Sequence, residues 1–138
     1  METNLTVILP LVSLDDKEKD YFANAIKSIE EQKTKPKDLI IVVPKDSEVK
    51  KEVGSYEFSE ETKNMLTIVE NDGETDFCSQ INHAVNSIET EWFSVLEVDD
   101  EYSKNWFKNV EKYVESYDDV DIFLPLVVDV DSEQSFLG

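Results

Sequence analysis

Trp92-Phe93-Ser94-Val95-Leu96-Glu97-Val98-Asp99-Asp100-Glu101 is the stretch on which the reading of this chain turns. Aromatic and β-branched residues run directly into four acids within five positions. That is the pattern of a buried strand whose carboxyl end opens onto a charged site. An extended segment puts Glu97 and Asp99 on one side, where two carboxylates can share a divalent cation, with Asp100 turning into the loop beyond. A solvated turn that merely ends a core strand has the same composition. Open α/β sheets bind their ligands at such strand ends.

Outward from this stretch, apolar runs alternate with amphipathic ones. Upstream lie Leu5-Thr6-Val7-Ile8-Leu9-Pro10-Leu11, Leu39-Ile40-Ile41-Val42-Val43 and Met65-Leu66-Thr67-Ile68-Val69, each short enough for a strand. The second is apolar without interruption, as expected of a parallel strand covered on both faces. Between the first two, Phe22, Ala25, Ile26 and Ile29 recur at helical spacing, with Asp15 or Asp16 as cap. A short helix is expected around residues 47–53 and a loop over residues 54–62. Asp76 or Thr75 caps a further helix whose inner side is read as Phe77, Ile81, Ala84, Val85 and Ile88, with Gln80 and His83 on the surface. A helix over residues 104–116 and a fifth strand over residues 122–128, edged by Pro125, complete the series. Strands alternating with helices imply right-handed crossovers and a three-layer α/β fold: a mostly parallel sheet with helices on both faces.

The chain has 138 residues, enough for one domain (1–138) without disulfide support. Thirteen basic and 32 acidic side chains give a formal charge of -19, which opposes nucleic acid and anionic membrane and favours cations or basic partners. Cys78 has no second cysteine to pair with and reads as a small core residue. His83 has no second histidine with which to build a transition-metal site. With glycine only at positions 54, 73 and 138, there is no glycine-rich phosphate loop. No run is long enough to span a bilayer and no secretory apolar stretch follows Met1, so the expected location is cytoplasmic, or a particle assembled in the cytoplasm.

Taken in order, these segments resemble the N-terminal, nucleotide-sugar-binding half of the GT-A glycosyltransferases, family 2 in particular. The resemblance covers residues 5–128. It is carried by Leu9-Pro10-Leu11, by Ser28-Ile29-Glu30-Glu31-Gln32, which looks like the family's Ser-Leu-x-x-Gln, and by residues 39–43. Asn71 with Gly73, the helix segment Ser79-Gln80-Ile81-Asn82-His83-Ala84-Val85, and the strand ending Glu97-Val98-Asp99-Asp100 complete it. The resemblance implies a GT-A, nucleotide-diphospho-sugar transferase-like fold that is truncated, lacking the C-terminal acceptor-binding part. It also implies a nucleotide-diphosphate sugar as ligand and Mn²⁺ or Mg²⁺ as cofactor, with Asp99 and Glu97 as metal ligands, Asp100 beside them, and Asp46 and Asn82 shaping the donor pocket.

Two departures bear on activity. Where the family has a nucleobase-contacting aspartate after the second strand, this chain has Pro44-Lys45-Asp46-Ser47. The family's catalytic base lies beyond the fifth strand, where only Asp129, Asp131 and Glu133 remain, so no catalytic residue is assigned. The first reading is thus a metal-dependent, nucleotide-sugar-binding glycosyltransferase-like domain, inverting if active. The alternative is a catalytically inactive GT-A-like domain serving a larger assembly such as a viral particle, with a protein partner covering the sheet edge near residues 122–128. A bare carboxylate-rich cation-binding module is a third reading.

Overall fold

A computed structural model describes residues 2–131. In chain order the elements are β1 (Glu2–Pro10), α1 (Asp16–Glu30), β2 (Lys35–Pro44), α2 (Glu48–Gly54), α3 (Glu60–Met65), β3 (Leu66–Asn71), α4 (Phe77–Val85), β4 (Trp92–Val95) and α5 (Trp106–Ser116). The strands form one parallel sheet in the order β3-β2-β1-β4.

The period of two along the central strands creates the layers. Val7 and Leu9 of β1 and Leu39, Ile41 and Val43 of β2 point into one core, with Phe22, Ala25, Ile26 and Ile29 of α1, Val49 and Val53 of α2, and Phe107 of α5. The intervening Ile8, Ile40 and Val42 point the other way, against Ala84, Ile81 and Val85 of α4. Burial on both faces is why residues 39–43 had to be apolar throughout. The face assignment of α4 follows from topology. The chain moves outward from β1 to β2 to β3, then returns past both to reach β4, and a right-handed crossover in the reverse direction puts its helix on the opposite side.

Local chemistry fixes the helix starts. Asp15 makes a full capping box: its carboxylate accepts from the Glu18 N–H at 2.8 Å and the Glu18 side chain accepts from the Asp15 N–H at 3.1 Å. Asp76 caps α4 through the Ser79 N–H. Ser59 caps α3 through the Thr62 N–H, so the expected loop over residues 54–62 ends in a helix start.

Three expectations need correction. Residues 122–128 form no strand: Ile122, Leu124, Leu126, Val127 and Val128 are exposed, and only Phe123 of the run folds back, against Trp92 at 5.4 Å between ring centroids. The strand they would pair with, β4, is four residues long, and Pro125 has no N–H for a ladder. On α4, Gln80 is fully buried while Phe77 is about half exposed, the reverse of the hydrophobic reading. Cys78 is exposed, not a core residue.

Candidate functional site

β1 lies between β2, to which the chain first moves, and β4, which it reaches last. That reversal falls at the carboxyl ends of β1 and β4, the place where open α/β sheets receive ligands. The acidic stretch arrives there. Leu96 N–H donates to the Ile8 carbonyl at 2.9 Å, carrying the β1–β4 ladder one residue past β4. The chain then turns sharply, with Asp100 N–H donating to the Glu97 carbonyl at 3.0 Å. Residues 97–100 are therefore a tight turn and not the extended segment expected from the sequence. Leu96 is buried and Val98 packs on the core, which leaves Glu97, Asp99 and Asp100 exposed.

These carboxylates sense one another. Partial burial, reinforced by Asp100 and then Asp99, raises the pKa of Glu97 above its ordinary value. Burial and then Asp99 raise that of Asp100. The corner is an oxygen-only set of mutually repelling carboxylates. Among the described residues, no three His, Cys, Asp or Glu side chains converge as a ready-made metal cage.

The loop after the turn is held by Ser28 of α1 and by Gln32 just past its end, residues that the sequence reading treated only as points of resemblance. Tyr102 N–H donates to Ser28 Oγ at 3.1 Å, and Phe107 N–H donates to Gln32 Oε1 at 3.0 Å. Gln32 Nε2 in turn donates to the Ser28 carbonyl at 2.9 Å. The Tyr102 hydroxyl lies 2.8 Å from Ser94 Oγ on β4, and its ring packs on Trp106 and Phe107. Burial pushes the Tyr102 phenol up, so it stays neutral in this contact. Both ends of the loop after the acidic turn are thereby fixed to the core.

A second polar cluster closes the ends of β1, β2 and β3. Gln80 Nε2 donates to the Leu11 carbonyl at 3.0 Å and the Val42 carbonyl at 3.3 Å, and Asn71 Nδ2 donates to Gln80 Oε1 at 2.6 Å. His83 Nε2 lies 2.9 Å from the Glu70 carbonyl, a local hydrogen bond at the end of β3. Asp46 sits exposed after β2 in the left-handed region, φ 54°, with its N–H 3.4 Å from Glu70 Oε1. That N–H, with Lys50, holds the Glu70 carboxyl below its ordinary pKa. Asn82 is exposed on α4.

Among the described residues no hydrogen bond joins Asp46 or Asn82 to the acidic turn: Glu97, Asp99 and Asp100 share that turn, Asp46 follows β2 and Asn82 lies on α4. Asp129 is exposed on the unpaired segment, Asp131 is partly buried, and Glu133 lies outside the described residues. A cleft of about 1160 Å³ lies elsewhere, between α1 and residues 101–108 beside the loop that enters β2. Its lining contains none of Glu97, Asp99 and Asp100, so chemistry and topology, not size, locate the candidate site.

The model of glycosyl transferase family 2 matches residues 16–136. The chain belongs to this family. Similar solved structures place this family 2 chain among GT-A folds. S. aureus TarS 1-349 has a TM-score of 0.62 at 16% identity, covering 83% of this chain and 33% of that one. The longer S. aureus TarS structure gives 0.61 at 17% identity, covering 83% and 20%. TarS 1-349 in complex with UDP gives 0.62 at 16% identity, covering 83% and 32%. The chain thus spans about a third of the TarS 1-349 structure. A comparison with curated protein sequences gives no match. Among the described residues no helix is long and apolar enough to cross a membrane.

Proposed function

We propose that this family 2 chain binds a nucleotide-diphosphate sugar at the carboxyl ends of β1 and β4, through Glu97, Asp99 and Asp100 and a divalent cation, Mg²⁺ or Mn²⁺. The observation that carries the reading is the acidic turn at the reversal point of the sheet, in a chain of this family. The UDP complex of TarS, a structure of the same fold, supports a nucleotide as the ligand type.

The donor set fits the cation by its chemistry. Carboxylate oxygens suit a hard ion, and Mg²⁺ takes one or two protein carboxylates while substrate phosphates and water fill its remaining positions. A site with no three-residue cage is consistent with that mode of binding. Asp99 and Glu97 would hold the ion, with Asp100 adding negative potential at the end of the turn. Bound there, the cation would neutralise charge that develops on a diphosphate leaving group. Asp46 and Asn82 border the donor pocket in this reading. Among the described residues none is assigned as the base that would take an acceptor proton.

Thermal shift with Mn²⁺ and a panel of UDP-, GDP- and TDP-sugars tests the reading. A stabilisation that needs both metal and nucleotide supports it, and the absence of any shift across the panel overturns it. A second reading, a GT-A-like domain used in assembly, is favoured by the exposed apolar run at residues 122–128 beside β4. It predicts no nucleotide response.

A further inference from the structure

We propose that Gln80 positions the nucleoside end of this site and sets its discrimination among nucleobases, an inference that rests on the donor-site reading above. Gln80 is a fully buried amide on α4. Its one side chain satisfies groups from three different strand ends: the carbonyls of Leu11, just after β1, and of Val42 in β2, and the amide of Asn71 at the end of β3. The linkage continues outward. Asn71 Nδ2 also donates to the Glu74 carbonyl at 2.8 Å, and Gly73 N–H donates to Asn71 Oδ1 at 2.9 Å, so the turn after β3 takes its shape from the same cluster. Leu11 N–H donates to the Val42 carbonyl at 2.9 Å, which ties the loop after β1 to β2.

The placement gives this cluster its function. A diphosphate at the acidic turn lies at the end of β4, the edge strand of the sheet. Among the described residues no strand lies on one side of it, and on the other lie the ends of β1, β2 and β3. The nucleoside attached to that diphosphate therefore finds its floor over the three ends that Gln80 joins. The loop after the acidic turn is secured independently, through Ser28, Gln32 and Tyr102. Loss of the Gln80 amide frees the Leu11 carbonyl and one Asn71 contact while that loop keeps its supports. Phosphate binding and base discrimination should separate. A purely structural glutamine would weaken both together.

The test measures dissociation constants by calorimetry at 15–20 °C for Mn²⁺-pyrophosphate, UDP, GDP and ADP, on wild type, Gln80→Leu and Gln80→Glu, each checked for folding by circular dichroism. The glutamate variant keeps the side-chain length and serves if the leucine variant fails to fold. The wild type is expected to prefer one nucleotide by about 10-fold or more, and the variant to narrow that ratio to about 3-fold or less with pyrophosphate affinity changed less than about 2-fold. Retained discrimination in a folded variant overturns the inference, as does an equal loss for all four ligands. Wild type that binds pyrophosphate and none of the nucleotides overturns it too, and wild type that binds nothing refutes the donor-site reading on which it rests.

Discussion

Replacing Asp100 by asparagine removes one of the three charges crowded at residues 97–100, and the sign of its effect on stability follows from the pKa directions. Glu97 and Asp100 are both raised in the folded chain, Glu97 by burial, Asp100 and Asp99, and Asp100 by burial and Asp99. The unfolded chain releases these protons at a lower pH. The stability these groups contribute is therefore complete below their unfolded pKa values and lost as pH rises through the folded ones. At neutral pH the native protein carries that loss, and the asparagine variant does not. The carboxylates are largely exposed, so solvent screening limits each repulsion to a few tenths of a kcal/mol. Two relieved repulsions and a smaller desolvation cost total roughly 0.5–1 kcal/mol. With an unfolding entropy of about 2.1 cal/mol/K per residue over 138 residues, Tm should rise by about 2–3 °C at pH 7. The gain should fade near pH 3, where carboxyls are protonated, and shrink in 1 M salt, where the Debye length is about 3 Å. Thermal melts of both proteins from pH 3 to 8 check this. An Asp100→Asn protein less stable than wild type at pH 7, or a gain that persists unchanged at pH 3, would refute the reasoning. A site that costs stability and gains function is also where a neutralising substitution should stabilise while it weakens ligand binding.

Gln32→Leu strips the buried Phe107 N–H of its acceptor, and urea unfolding should show a loss of about 1–3 kcal/mol. Glu30 gives the opposite pH signature to the acidic turn. Burial works to raise its pKa, yet hydrogen bonds from the Thr62 hydroxyl at 2.6 Å and the Ser59 N–H at 2.8 Å bring it below the ordinary value. Its stabilisation is thus present above the unfolded pKa and lost as pH falls through the folded one. Glu30→Gln should lose roughly 0.5–1 kcal/mol at pH 7, discounted for exposure, and the gap to wild type should close in acid.

Much of the fold was legible because burial on two faces leaves a direct mark in sequence. Residues 39–43 are apolar throughout, and the structure buries all five at the centre of the sheet. Asp15 and Asp76 announced helix starts through the capping chemistry they perform. The failures have physical reasons. An apolar run such as residues 122–128 signals a demand for cover but cannot supply it, and beside a four-residue edge strand the run stays exposed. Hydropathy ranks the Gln80 amide as surface, whereas a helix that crosses these strand ends needs a polar side chain to meet the Leu11 and Val42 carbonyls and the Asn71 amide. The acidic corner itself was legible as a cluster at a strand end. Its geometry was not, because composition cannot distinguish an extended Glu97-Val98-Asp99 from the turn that Asp100 closes on Glu97. The roles of Ser28 and Gln32 depend on contacts about 75 residues away in the chain, beyond any local pattern.

The central claim is that Asp99 and its neighbours hold the diphosphate of a nucleotide sugar with a divalent cation. Calorimetric titration of the wild type and Asp99→Ala with UDP-, GDP- and TDP-sugars, in Mn²⁺ and in EDTA, addresses it most directly. The account predicts saturable binding of at least one donor that is lost in EDTA and at least about 10-fold weaker in Asp99→Ala. Binding that survives both treatments, or no binding by the wild type, would contradict it.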